Sequence, residues 1–226
     1  MSLPIAVLIS GGGSNLQALI DRIEQGVLDA RIELVVSNVP GVKGLERAQK
    51  HGIPTRVVPQ SEYGSRQAHD QAIIQFLEDF GIQAVCLAGY MRLISQEFVQ
   101  AFPNRILNIH PSLLPSFPGL HAQKQAVDYG VRLSGATVHF VDEKLDHGPV
   151  IIQAAVPVYP YDDQDTAAER ILAFEHRIYP QAVQWLAEDR LSIQHGQVHL
   201  DPPQESAVDA SSLYTCLINP GLDAGF

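Results

Sequence analysis

Apolar residues follow two rhythms along this chain. Short, mostly apolar runs occur at Ile5 to Ser10 (IAVLIS), Ile32 to Ser37 (IELVVS), Ala84 to Ala88 (AVCLA) and Arg105 to Ile109 (RILNI), and each reads as a strand. Between them the period lengthens. Leu16, Leu19, Ile20 and Ile23 recur at helical spacing within Leu16 to Gln25, and Gly44 to His51 reads as a short helix stopped by Gly52 and Pro54. Ser65 to Phe80 reads as a longer helix that ends at Gly81. Strand and helix in alternation predict an α/β fold: a mostly parallel twisted sheet with helices on both faces and a Rossmann-like N-terminal half.

The pattern changes after residue 110. His121 to Tyr129 looks helical, whereas Gly135 to Val141 (GATVHFV) and Val150 to Val158 (VIIQAAVPV) look like longer strands. Asp165 to Glu188 is one helical pattern, which Pro180 should kink or divide. Leu191 to Leu200 resembles a hairpin turning at His195 and Gly196. Beyond Asp201, periodicity gives way to Pro202, Pro203, Ser206, Ser211 and Ser212, so residues 201–226 are expected to form a weakly ordered or surface-draped tail. The rest is expected to be one domain, residues 1–200, with functional halves at about 1–100 and 101–200.

Composition narrows the function. With 46% hydrophobic and 18% charged residues, the 226-residue chain belongs with globular proteins. A net charge of −10 argues against a broad surface for a phosphate backbone, so no nucleic-acid partner is expected. A small anion can still be held by backbone N–H groups. Two cysteines, Cys86 and Cys216, give neither a disulfide framework nor a Cys-based zinc pattern. Pro4 to Ser10 is too short to span a bilayer and has no basic flank, which predicts a cytoplasmic protein with no membrane partner. His195 and His199 straddle a predicted turn without a third ligand, and Asp162, Asp163 and Asp165 stand where a helix is capped, so no metal is expected.

Two stretches carry chemistry. Ser10-Gly11-Gly12-Gly13-Ser14-Asn15 joins the first strand to a helix; its glycines let a ligand approach the backbone, and the helix start offers N–H groups to a phosphate. The loop is neither a Walker loop nor a complete dinucleotide fingerprint, because Leu16 stands where the third glycine would be. The competing reading is a tight turn with Ser14 or Asn15 as the helix cap. The second stretch is Asn108 to Pro115 (NIHPSLLP), at the end of a predicted strand. Asn108 and His110 lie two apart and so share a face, where an amide and an imidazole suit a carbonyl that becomes an oxyanion. Alone this pair is weak evidence, since a strand-end His is commonly structural. The loop Glu143 to Pro149 adds Asp146, a carboxylate able to pair with His110.

Ser10 to Asn15 (SGGGSN), Leu87 to Leu93 (LAGYMRL), Asn108 to Pro115, Pro118 to His121 (PGLH), Thr137 to Val141 (TVHFV) and Asp146 to Pro149 (DHGP) occur in one order. Together they resemble the folate-dependent phosphoribosylglycinamide formyltransferases of purine biosynthesis, over roughly residues 4–200. The resemblance implies the formyltransferase fold and 10-formyltetrahydrofolate as co-substrate. It implies glycinamide ribonucleotide as acceptor, and a monomer or homodimer acting on small molecules. Asn108, His110 and Asp146 match the family's catalytic residues. Gly12, Gly13, Ser14 and Asn15 match the loop that holds the nucleotide phosphate, and Glu175 matches an acidic residue on the ribose hydroxyls. Tyr90, Met91, Arg92, Leu93 and Ile94, with Asn108 and the loop Val141, Asp142, Glu143, Lys144, Leu145 and Asp146, match the folate pocket.

The implied mechanism is direct attack of the amine on the formyl carbon. Asn108 and protonated His110 stabilise the oxyanion, while Asp146 holds His110 and helps the proton to the departing folate nitrogen. Gly12 departs from the Asn more usual in this loop, and His147 stands where a small residue is common after the Asp. Rival readings are a formyltransferase for charged tRNA or sugars, a formylfolate hydrolase, and a non-catalytic Rossmann-type binding module that uses the glycine loop alone.

Overall fold

The computed structural model describes residues 2–209 and 215–226. They form two compact units: Met1–Asn108 with Phe140–Glu143, and Ile109–His139 with Lys144–Phe226.

In the first unit every strand pairing is parallel. β1 (Leu3–Ile9), β2 (Ala30–Ser37), β3 (Thr55–Val57), β4 (Ala84–Leu87) and the start of β5 (Ile106–His110) lie in the order β5-β4-β1-β2-β3. Parallel strands bury both faces, which is why their sequences read as apolar runs and not as alternation. Ala6 and Leu8 of β1 and Val85 and Leu87 of β4 pack with Ile73 and Leu77 of α3 (Arg66–Asp79) and Phe98 of α4 (Gln96–Ala101). Ile5, Val7 and Ile9 face the other way, and Ile9 meets Gly44 at the start of α2 (Lys43–Lys50). Ser65 and Ser95 cap α3 and α4 by accepting the N–H groups of Ala68 and Phe98. β3 and α4 escape a reading of periodicity because each is shorter than two helical turns.

The second unit is antiparallel. β6 (Leu133–Phe140), β7 (Val150–Pro157), β11 (Cys216–Asn219) and β10 (Ala207–Asp209) are neighbours in that order, with α5 (Ala122–Tyr129) and α6 (Gln164–Ala187) packed together and α6 lying on β7. Asp163 caps α6 by accepting the Thr166 N–H. The expected division at Pro180 does not occur: α6 runs through it. Proline removes one helical N–H, but Tyr179, Ala182, Val183 and Trp185 around it are fully buried, and their packing keeps the helix intact. The predicted hairpin is present as β8 (Leu191–Gln194) and β9 (Gln197–Leu200), with His195 and Gly196 both at positive φ, as a two-residue turn of this twist requires.

The expectation of a weakly ordered tail is corrected for the described residues. β11 pairs with β7 at Leu217–Ala155, Ile218–Ala154 and Asn219–Gln153. Cys216 and Ile218 turn inward while Leu217 and Asn219 turn out, a pattern too short to stand out among prolines and serines. Ser211 and Ser212 lie outside the described residues. Beyond β11, the Asp223 carboxylate anchors the end of the chain. It accepts hydrogen bonds from Trp185 Nε1 at 2.7 Å, Arg190 at 2.8 Å, Gln181 at 3.0 Å and Gln204. Asp223→Ala strands a buried indole N–H and a guanidinium, and is expected to cost about 2–3 kcal/mol. Urea unfolding should show this as a lower midpoint. None of the described helices is long and apolar enough to cross a membrane.

Candidate functional site

The glycine loop is built against α2. Gly44 N–H donates to the Gly11 carbonyl at 3.1 Å, and Arg47 Nε donates to the Gly12 carbonyl at 2.9 Å. Gly13 has φ +69, and a Cβ there would sit 2.7 Å from Gly44 Cα, so backbone conformation and space both demand glycine. Gly44 is confined by space alone, since a Cβ there would lie 2.4 Å from the Ile9 Cδ1 side-chain end and 3.0 Å from the Gly11 carbonyl oxygen. Ser10 Oγ donates to Asn38 at 2.6 Å and accepts the Met91 N–H at 2.8 Å.

Helix α1 (Ser14–Glu24) begins directly after Gly13 with no side-chain cap and no acidic residue in its first turn. Ser14 and Asn15 therefore lie inside the first turn and do not cap it. This leaves the positive end of the helix to an anion. Gly44 and Arg47, which shape the loop from beneath, were not legible as site residues. Their one local sign is a glycine at the start of an otherwise polar helix.

At the end of β5, Asn108 and His110 occupy alternate positions and so share a face; Asn108 is half-buried and His110 is buried. His110 Nε2 lies 2.9 Å from the Phe117 carbonyl, which can only accept, so Nε2 carries a hydrogen. His110 Nδ1 lies 3.5 Å from Asp146 Oδ2. That separation is close enough for the carboxylate to attract an imidazolium, yet too long for a strong hydrogen bond.

Asp146 has φ +48 and is held by the Gly119 N–H, which donates to Oδ2 at 2.7 Å. Its other oxygen, Oδ1, faces His139 Nε2 at 4.0 Å. His139 is buried on β6 and gives the carboxylate a second imidazole neighbour, which the sequence did not reveal. The expected partnership of His110 with Asp146 is thus present in the geometry.

The segment after β5 is tied down strongly. Thr137 Oγ1 donates to the Ser112 carbonyl at 2.7 Å and accepts the Leu114 N–H at 3.1 Å, while Gln153 Nε2 donates to the Leu114 carbonyl at 3.0 Å. Ser112 Oγ donates to the Ser116 carbonyl at 2.6 Å. Phe117 and His121 sit at positive φ, a conformation costing about 1–2 kcal/mol each for residues with a Cβ. The hydrogen bonds hold Phe117 in that strained form, and its carbonyl in turn fixes the His110 ring.

Tyr90 is buried between β4 and α4, and its hydroxyl has no hydrogen-bond partner among the described residues. Burial pushes this phenol well above the ordinary tyrosine range, and the Asp70 carboxylate pushes it further. Of the other residues matched to the folate pocket, Met91 and Leu93 are exposed, Arg92 and Ile94 half-buried. Val141 and Asp142 are half-buried, and Glu143, Lys144 and Leu145 are exposed. Val141 is fixed by its N–H, which donates to the Ile106 carbonyl at 2.9 Å. Glu175 is buried on α6. His147, the bulky residue next to Asp146, is exposed.

An α/β scaffold with an Asn-x-His strand end and a clamped carboxylate has the parts of an acyl-transfer enzyme. Residues 3–183 match the formyl transferase family, and the chain belongs to it. It is 44% identical to the phosphoribosylglycinamide formyltransferase of Escherichia coli (strain K12), across 91% of this chain and 99% of that one. It is 52% identical to the trifunctional purine biosynthetic protein adenosine-3 of Drosophila pseudoobscura pseudoobscura across 83% of this chain, and spans 14% of that protein's length. The crystal structure of glycinamide ribonucleotide transformylase 1 from Symbiobacterium toebii superimposes with a TM-score of 0.87 at 49% identity, covering 88% of this chain and 94% of that one.

Proposed function

We propose that this chain transfers the formyl group of 10-formyltetrahydrofolate to the amino group of glycinamide ribonucleotide, giving formylglycinamide ribonucleotide and tetrahydrofolate in de novo purine (IMP) biosynthesis. The observation that carries the proposal is the pairing of His110 with Asp146 on the strand face of Asn108. The amine attacks the formyl carbon, and a new C–N bond forms as the formyl carbon leaves the folate nitrogen. Asn108 and the Nδ1–H of His110 receive the oxyanion. Asp146 balances the charge on His110 and passes the amine proton towards the departing nitrogen.

In this reading Gly12, Gly13, Ser14 and Asn15 hold the phosphate, and Glu175 takes the ribose hydroxyls. Tyr90 to Ile94 and Val141 to Asp146 receive the folate. The chain works in the cytoplasm on small molecules as a monomer or homodimer, without nucleic acid, membrane or metal.

Gly13→Ala tests the phosphate assignment. The left-handed backbone and the contact with Gly44 must both yield, which is expected to raise KM for glycinamide ribonucleotide about tenfold or more, equivalent to about 1.4 kcal/mol. KM for the folate should stay within about twofold, as steady-state kinetics with each substrate varied would show.

The activity itself is tested by incubation with 10-formyl-5,8-dideazafolate with and without glycinamide ribonucleotide. Product that depends on the nucleotide supports the transferase. Product without it supports a hydrolase, and no product supports a binding module.

A further inference from the structure

Outside the residues assigned to chemistry, α3 carries a fully buried acid–imidazole pair. His69 and Asp70 are 0% and 1% exposed. Buried ionisable groups on a helix facing an apolar core are costly unless they are paired and hydrogen-bonded, and both of these are. His69 Nε2 lies 2.9 Å from the Val58 carbonyl, so that nitrogen carries a hydrogen. His69 Nδ1 lies 3.2 Å from Asp70 Oδ1, and this contact is satisfied by one proton held on either group. Asp70 Oδ2 then accepts the backbone N–H of Ser95 at 2.6 Å. The chain of bonds runs Val58–His69–Asp70–Ser95, and Tyr63 packs edge-on against the His69 ring to close it from outside.

Ser95 is where this arrangement acquires a consequence. It caps α4 and terminates the segment Tyr90 to Ile94, whose other anchor is the Met91 N–H on Ser10 Oγ. Tyr90 packs in the same apolar cluster as Ile73 and Leu77 of α3 and Phe98 of α4, close enough for Asp70 to act on its phenol electrostatically. Met91 and Leu93 between the two anchors are exposed apolar side chains. Asp70 therefore fixes one end of a short segment that presents apolar side chains outward.

We propose that Asp70, oriented by His69, is a positioning residue for folate binding. It sets the conformation of residues 91–95 by holding the Ser95 N–H, and touches neither the folate nor the reacting atoms. This rests on the assignment of Tyr90 to Ile94 to the folate pocket. The apparatus serves binding of the donor, leaving the Asn108–His110–Asp146 chemistry unchanged.

The test compares three variants of the full chain. In Asp70→Ala, the Ser95 N–H and His69 Nδ1 both lose their partner. KM for 10-formyl-5,8-dideazafolate should rise about tenfold or more, with KM for glycinamide ribonucleotide within twofold and kcat within threefold. Asp70→Asn keeps both contacts, its oxygen accepting from Ser95 and its NH2 donating to His69 Nδ1, and should restore KM to within threefold of the parent. Ile20→Ala, which opens the core on α1 away from this cluster, should lower Tm comparably without moving the folate KM.

Unchanged folate KM in Asp70→Ala overturns the inference, as does an equal rise in Ile20→Ala or in Asp70→Asn. A parent protein that does not use the folate donor at all overturns the functional reading instead, so the two failures are distinct.

Discussion

Asp146→Asn is expected to lower kcat for formyl transfer by about 10³-fold while leaving the fold intact. Asparagine keeps the shape of the side chain, and its oxygen can still accept the Gly119 N–H, so the local backbone at positive φ stays supported. What disappears is charge. At 3.5 Å from His110 Nδ1, a carboxylate contributes about 5 kcal/mol of attraction to an imidazolium at an effective dielectric of about 20. Partial screening reduces that to the equivalent of about three decades in rate. The amide also cannot take up the amine proton. Rapid-quench measurement of formyl transfer at saturating substrates, beside a far-UV circular dichroism spectrum, checks this. A variant within tenfold of the parent would remove Asp146 from the mechanism.

His110→Ala and Asn108→Ala should each lower kcat by about 10²–10³, the usual cost of removing one oxyanion donor. The two differ in their side effects. Removing His110 also takes the shorter of two donors from the Phe117 carbonyl, leaving only the Ser112 hydroxyl at 3.3 Å, at about 1 kcal/mol, so this variant should unfold slightly earlier in urea as well as turn over slowly. The KM values should change little in either variant, because the interaction is strengthened only as the carbonyl becomes tetrahedral. Near-normal turnover by His110→Ala would sink the assignment.

Much of this was legible because it is local. The strands of the parallel unit are continuous apolar runs, and a glycine loop following the first of them has a direct physical reading. Asn108 and His110 share a face by strand alternation alone. Their partnership with Asp146 was inferred from its loop, and the 3.5 Å contact agrees. The motifs together pointed to the formyltransferase family, and the match over residues 3–183 shows it.

What remained hidden depends on residues far apart in the chain. His139 reads as one position in a buried strand until the chain reversal after β6 brings Asp146 beside it. Gly44 and Arg47 belong to a polar helix whose contact with the glycine loop has no local signature. Asp70 sits near the start of α3, where polar residues ordinarily face solvent, and its distant partner Ser95 has no local signature. β11 was missed because four residues with two inward positions carry too little pattern against surrounding prolines and serines.

The proposed reaction is tested most directly by following the carbon itself. The protein would be incubated with glycinamide ribonucleotide and 10-formyltetrahydrofolate labelled with ¹³C in the formyl group, and the carbon followed by NMR. The label should move to a formamide carbon on the nucleotide, one for each tetrahydrofolate formed, with no transfer by His110→Ala on the same timescale. Label appearing as free formate, at a rate indifferent to the nucleotide, would contradict the account.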